Sequence, residues 1–131
     1  MPETTTPMQR LQAARHALLK LHKVLLDAQR SRYEKEHGRV GLAGEMLQLV
    51  IGDESFAWLH PISELIVQID TATDDADQPL TPSTATQLLQ QIRALLTPNE
   101  SGAGFARQYF DAIQNDPDIA YAHGQVMMAM K

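Results

Sequence analysis

The sequence predicts an all-α fold: a single-domain bundle of five or six helices with a long N-terminal helix and a proline-kinked central helix. Apolar residues recur at three- and four-residue spacing along most of the chain, whereas strand-like alternation is absent. Three dipeptides, Thr6-Pro7, Thr81-Pro82 and Asp116-Pro117, combine a helix-capping side chain with the residue best tolerated in a first helical turn. With 131 residues there is room for one ordinary domain and little more, so 1–131 reads as one helical unit. Its irregular stretches include a disordered N-terminus over residues 1–5 and an acidic loop at 74–81.

The first helix starts at Pro7, with Thr6 as cap and Gln9 closing a capping box, and meets no breaker before Gly38. Leu11, Ala14, Leu18, Leu21, Leu25 and Ala28 form a 3,4-spaced seam, widened by Leu19, His22, Leu26 and Tyr33. Around 31 helical residues measure about 46 Å. A compact chain of this length is only about 36 Å across. The helix therefore either breaks near Ser31 or overshoots the body and finds a partner there. A short second helix fits Val40–Ile51, with Leu42, Met46, Leu49 and Val50 on one side and Gly52 as terminator.

The strongest pattern runs through Trp58, Leu59, Ile62, Leu65, Ile66 and Ile69, which share one face despite Pro61 within the run. A short helix at 54–60 leading through a kink, or restarting with Pro61 in its first turn, into 61–73 satisfies both facts. Phe56, His60 and Val67 fall on the opposite face, which predicts a central helix apolar on two sides. Beyond the acidic loop, Leu88, Leu89, Ile92, Leu95 and Leu96 mark a fourth helix that stops before Pro98. Asn99–Gly104 is a second loop. Phe105, Tyr109, Ala112 and Ile113 mark a fifth helix, and Ile119, His123, Val126 and Met130 a sixth.

Composition narrows the function classes. There is no cysteine, which excludes a disulfide scaffold, thiolate metal sites and a cysteine nucleophile. No apolar run approaches the length of a bilayer span, and Met1–Thr6 has neither a basic nor an apolar leader region. The expected address is cytoplasmic. Net charge is −5, yet residues 1–40 carry eight basic against four acidic side chains and residues 41–131 three against twelve. A basic helix opposite an acidic remainder suggests pairing inside the fold, helped by Lys23–Asp27, Asp27–Arg30 and Arg30–Glu34 on the helix itself. Nucleic acid is disfavoured: no second basic helix follows, and the seven aromatics do not interleave with the cations. If it did bind, Arg15, Lys20, Lys23 and Arg30 would carry the contact.

Catalytic constellations are missing. Glu34 and His37 form one Glu-x-x-His pair, but a helical di-metal site needs two. Gly38, Gly41 and Gly44 follow no strand, so neither a P-loop nor a dinucleotide fingerprint fits. Ser63 lies one turn from His60, without a nucleophile elbow or an evident third group. The sequence thus names no catalytic residue, no metal ligand and no cofactor. One small-molecule or metal site is conceivable around Trp58, His60 and Glu64, where His60 and Glu64 are i,i+4 neighbours. The Met-rich end (Met127, Met128, Met130) suits either core closure or an adaptable surface.

The stretch Phe56–Asp70, with its core Trp58-Leu59-His60-Pro61-Ile62-Ser63, resembles small uncharacterised bacterial helical proteins carrying Trp-Leu-x-Pro-(Leu/Ile)-Ser. Asp116-Pro117-Asp118-Ile119 is similar as well. The resemblance implies a helical fold and a bacterial origin, and it implies no activity. The expected function is a non-catalytic interaction or regulatory module, a homodimer through helix 1 with Leu18, Leu21, Leu25 and Tyr33 at the interface, or one that takes a protein partner.

Overall fold

The computed structural model describes residues 5–41 and 43–131. The order is α1 (Pro7–His37), α2 (Ala43–Gly52), a 3₁₀ segment (Glu54–Leu59), α3 (His60–Asp74), α4 (Pro82–Leu95), α5 (Phe105–Asn115) and α6 (Pro117–Ala129). Among the described residues there is no strand. The expectations for residues 1–4 and for Leu42 fall outside the described part.

The starts of α1, α4 and α6 follow from local capping chemistry. The Thr6 hydroxyl accepts from the Gln9 amide while the Gln9 side chain accepts from the Thr6 amide, which satisfies two otherwise unpaired donors. Thr81 accepts from Thr84 N–H, and Asp116 from Asp118 N–H, each before a proline in the first turn. Such caps contribute about 1 kcal/mol each. Gly38 ends α1 at φ +89°, a region that favours glycine, and its N–H reaches Glu34 O. Asp75 Oδ1 accepts from the amides of Asp77 and Gln78, which turns the acidic loop. Pro61 sits in the first turn of α3, so the restart alternative holds: six residues of 3₁₀ helix precede it, and the phase of the apolar face is kept.

The long first helix is unbroken at 31 residues, and it is the centre of the bundle. It packs against α3, α4, α6 and the 3₁₀ segment. Its seam, Leu11, Ala14, Leu18, Leu21 and Leu25, joins Leu59, Ile62, Ile69, Ile92, Tyr109 and Val126 in one buried core. Its far end is roofed rather than bare. Tyr33 stacks on His37 (centroids 4.2 Å) and lies 6.1 Å from the buried Phe56 ring. Beyond Gly38 the chain doubles back: Arg30 Nη2 donates to Val40 O (2.7 Å) and Val40 N–H donates to Glu34 Oε2 (2.9 Å). That two-sided grip holds Val40 out of helix and buries its side chain, so α2 begins at Ala43 rather than Val40.

Two expectations need correction. α3 buries a single face, Ile62, Leu65, Ile66 and Ile69, while Val67 is 61% exposed. The other residues expected on that second side divide, with Phe56 buried beneath Tyr33 and His60 turned to Val50 O of α2, and α1 takes the central place instead. The proposed interface seam is likewise committed elsewhere. Leu18, Leu21 and Leu25 are fully enclosed by the protomer's own helices, so a partner could reach them only by opening the fold. Tyr33, the fourth of that set, is half-buried in the roof over the α1 end.

Candidate functional site

Trp58, His60 and Glu64 follow each other on one stretch of chain, but their side chains go to three places. Trp58 Nε1–H donates to Gln29 Oε1 on α1 (3.1 Å), pairing with the one buried polar side chain among the described residues. The His60 Nε2 atom is 3.0 Å from Val50 O, the carbonyl near the end of α2. Glu64 is exposed on the rim of a shallow groove between α3 and α4, which neither Trp58 nor His60 lines. The structure therefore assigns these residues to joining elements, with Trp58 tying the 3₁₀ segment to α1 and His60 tying α3 to α2. Among the described residues no group of three or more His, Asp or Glu side chains converges.

Two polar pairs that sequence spacing could not reveal lie in the bundle. Ser63 Oγ is 3.0 Å from His22 Nε2, joining α3 to α1. The Tyr109 hydroxyl is 2.6 Å from His123 Nδ1, joining α5 to α6. From Tyr109 a ladder of rings runs through Phe105 (5.3 Å) to Trp58 (5.8 Å). A serine beside a histidine invites a nucleophilic reading, but that chemistry needs an orienting group on the far ring nitrogen and room for a substrate. Among the described residues no carboxylate is hydrogen-bonded to His22, and neither Ser63 nor His22 lines any of the five main grooves. The pair is an inter-helix tie.

Burial lowers the pKa of both His22 and His123 from the ordinary 6.5, and it pushes Tyr109 upward. Both groups are consequently held in their neutral forms, and the contact between them is a hydrogen bond between uncharged partners. The unfolded chain, with ordinary histidines, binds more protons than the folded one once the pH drops below about 6.5, so stability falls with pH in that window. Denaturant midpoints measured at pH 7.5 and 5.0 test this, with the lower value expected at pH 5.0. Replacing both His22 and His123 with Gln should flatten the dependence, and an unchanged slope would show that carboxylates rather than these rings govern it.

Part of the basic face of α1 is paired. Arg15 pairs with Asp70 on α3, Lys23 with Asp27 (3.3 Å), and Arg30 with Glu34 (3.5 Å). Of the four cations named for a nucleic-acid contact, Lys20 alone has no ion pair among the described residues.

Two surfaces remain that sequence reading did not single out. The first is α2. Its sequence Ala43-Gly44-Glu45-Met46-Leu47-Gln48-Leu49-Val50-Ile51-Gly52 is mostly apolar, yet none of its residues is buried. Met46, Leu49 and Val50 are half-covered, and Leu47 (59%) and Ile51 (67%) face out one turn apart. The second is a groove between α1 and α6 of about 510 Å³. Ala17, Val24, Ala28 and Ala122 floor it, and it continues past Tyr121 (71% exposed) to Ala13 and Met128 (66%). Neither a protein-family model, nor a curated protein, nor a solved structure matches this chain.

Proposed function

We propose that this chain is a non-catalytic helical interaction module that self-associates, with the outward ridge of α2 as its working surface. The observation that supports the reading is α2 itself. An apolar helix normally owes its stability to burying a face, and an isolated ten-residue helix is marginal in water. Here the described protomer leaves Leu47 and Ile51 uncovered while the grip on Val40 and the His60–Val50 contact hold the helix in place. Holding such a ridge ready lowers the ordering cost of association. A homodimer in the cytoplasm is the proposed working form, and a bacterial source rests on the Trp58–Ser63 resemblance.

Sedimentation across the micromolar range is the test. The unaltered chain should dimerise, whereas the double variant Leu47→Glu, Ile51→Glu should stay monomeric with its melting temperature nearly unchanged, because exposed positions usually shift stability by no more than about 0.5 kcal/mol. A strictly monomeric unaltered chain, or a double variant that dimerises equally well, overturns the proposal.

A further inference from the structure

We propose that the groove between the end of α1 and α2 binds a free α-amino acid with an apolar side chain, its carboxylate taken by Arg39 and its ammonium by Glu45. The site does not depend on self-association, because Leu47 and Ile51 lie on the other side of α2 and do not line it.

The groove measures about 450 Å³, within the range of small-molecule sites. The last turn of α1 supplies Tyr33 and His37. From α2 come Glu45 and Gln48, one turn apart on the same side of the helix, with Leu49 beside them. Arg39 and Asp53 line it from the two ends of the connecting chain.

These polar groups stand on fixed supports. The His37 Nδ1 atom is 3.2 Å from Tyr33 O, and its ring stacks on the Tyr33 ring. A carbonyl only accepts, so Nδ1 carries the proton and Nε2 is left as an acceptor, without a hydrogen bond among the described residues. Arg39 stands between Gly38, whose φ of +89° turns the chain, and Val40, which Arg30 and Glu34 grip from both sides. Asp53 accepts from Ser55 N–H (2.9 Å) while its own N–H donates to Leu49 O. Supports fixed in advance lower the ordering cost of binding.

Charge selects the ligand class. Arg39 and Glu45 are exposed and line the same groove, yet neither has an ion pair among the described residues, with the other or elsewhere. Opposite charges that line one space without meeting leave room there for a molecule carrying both signs. A plain anion would also meet Glu45 and Asp53, and a plain amine would also meet Arg39. A zwitterion satisfies both walls at once. Tyr33, Val40 and Leu49 give the rest of the lining an apolar character, which favours an aliphatic or aromatic side chain on the ligand.

Titration of the full chain with L-leucine and L-phenylalanine tests the site, read by the NMR shifts of the His37 ring and of the Arg39 and Glu45 amides. Isocaproate and isoamylamine, which are leucine without its amine and without its carboxylate, serve as controls. Saturable shifts are expected with both amino acids, and each half-molecule should bind about tenfold more weakly than leucine, the weight of one charge-assisted hydrogen bond. Arg39→Gln should weaken leucine by the same factor and leave isoamylamine unaffected. Glu45→Gln should weaken leucine and leave isocaproate unaffected. Both positions are exposed, so the melting temperature should stay nearly unchanged. The Leu47→Glu, Ile51→Glu variant should bind leucine normally, and a monomeric chain that still binds it separates this site from the self-association reading. An absence of shifts at millimolar amino acid, half-molecules that bind as tightly as leucine, or charge variants that bind unchanged would each overturn the assignment.

Discussion

Replacing Leu21 with alanine should destabilise the fold by about 2–5 kcal/mol, the range for Leu-to-Ala changes at enclosed sites. A domain is stable by only about 5–15 kcal/mol in total, so this is a large share. Leu21 is fully enclosed near the middle of the α1 seam, among residues from α3, α4, α5 and α6. Because α1 touches four other elements, a cavity under Leu21 loosens all of them together. At this chain length roughly 3–5 °C of melting temperature goes with each kcal/mol, so a drop of about 10–15 °C is expected in a single cooperative transition. The same variant distinguishes two roles for the seam. Were Leu21 an interface residue, its loss would weaken the dimer and spare the monomer. Calorimetry at two widely separated concentrations reads the difference: a shift independent of concentration marks Leu21 as core.

Much of this architecture is legible in the sequence, because helix starts and apolar faces are local. Thr6-Pro7, Thr81-Pro82 and Asp116-Pro117 cap the helices they were expected to cap, and Ile62, Leu65, Ile66 and Ile69 bury the face that their spacing defines. What spacing cannot carry is which face meets which. Leu18, Leu21 and Leu25 form the same seam whether it is covered by a second copy or by the protomer's own α4 and α6. The length argument favoured a second copy, since it had no way to foresee the chain doubling back at Gly38 with Val40 clamped by Arg30 and Glu34. The side chains of Trp58, His60 and Glu64 diverge for a related reason. Adjacent residues on a 3₁₀-to-α junction diverge, and the partners they chose, Gln29 and Val50, are distant in sequence. The Ser63–His22 and Tyr109–His123 pairs are ties of that same non-local kind. The one signal within reach was α2. Its composition, more apolar than a one-sided helix needs, could have marked it as a helix with an unmet face.

Replacing Phe56 with alanine should have an effect of similar or larger size but different distribution. Phe-to-Ala changes in enclosed sites cost about 3–5 kcal/mol. Phe56 is fully buried, yet it lies apart from the main core cluster, as does Val40. Its ring faces Tyr33 at 6.1 Å under the end of α1, and its own 3₁₀ segment is the principal support of α2. Loss of the ring therefore removes the roof of one end while leaving the Leu11–Leu25 seam intact. Regions with few buried apolar contacts open independently of the rest, and local opening limits how much of the cost the whole molecule feels. Amide exchange should accelerate strongly in α2 and in residues 31–37, and far less in α4 and in residues 11–25 of α1. Trp58, two residues away and the only tryptophan, should report the same event through a red-shifted emission as its contact with Gln29 loosens. Because the ridge of α2 then loses its fixed position, dimerisation should weaken even though Leu47 and Ile51 are untouched. Uniform acceleration across all six helices would contradict this, and would mean that the α2 end folds as one unit with the core.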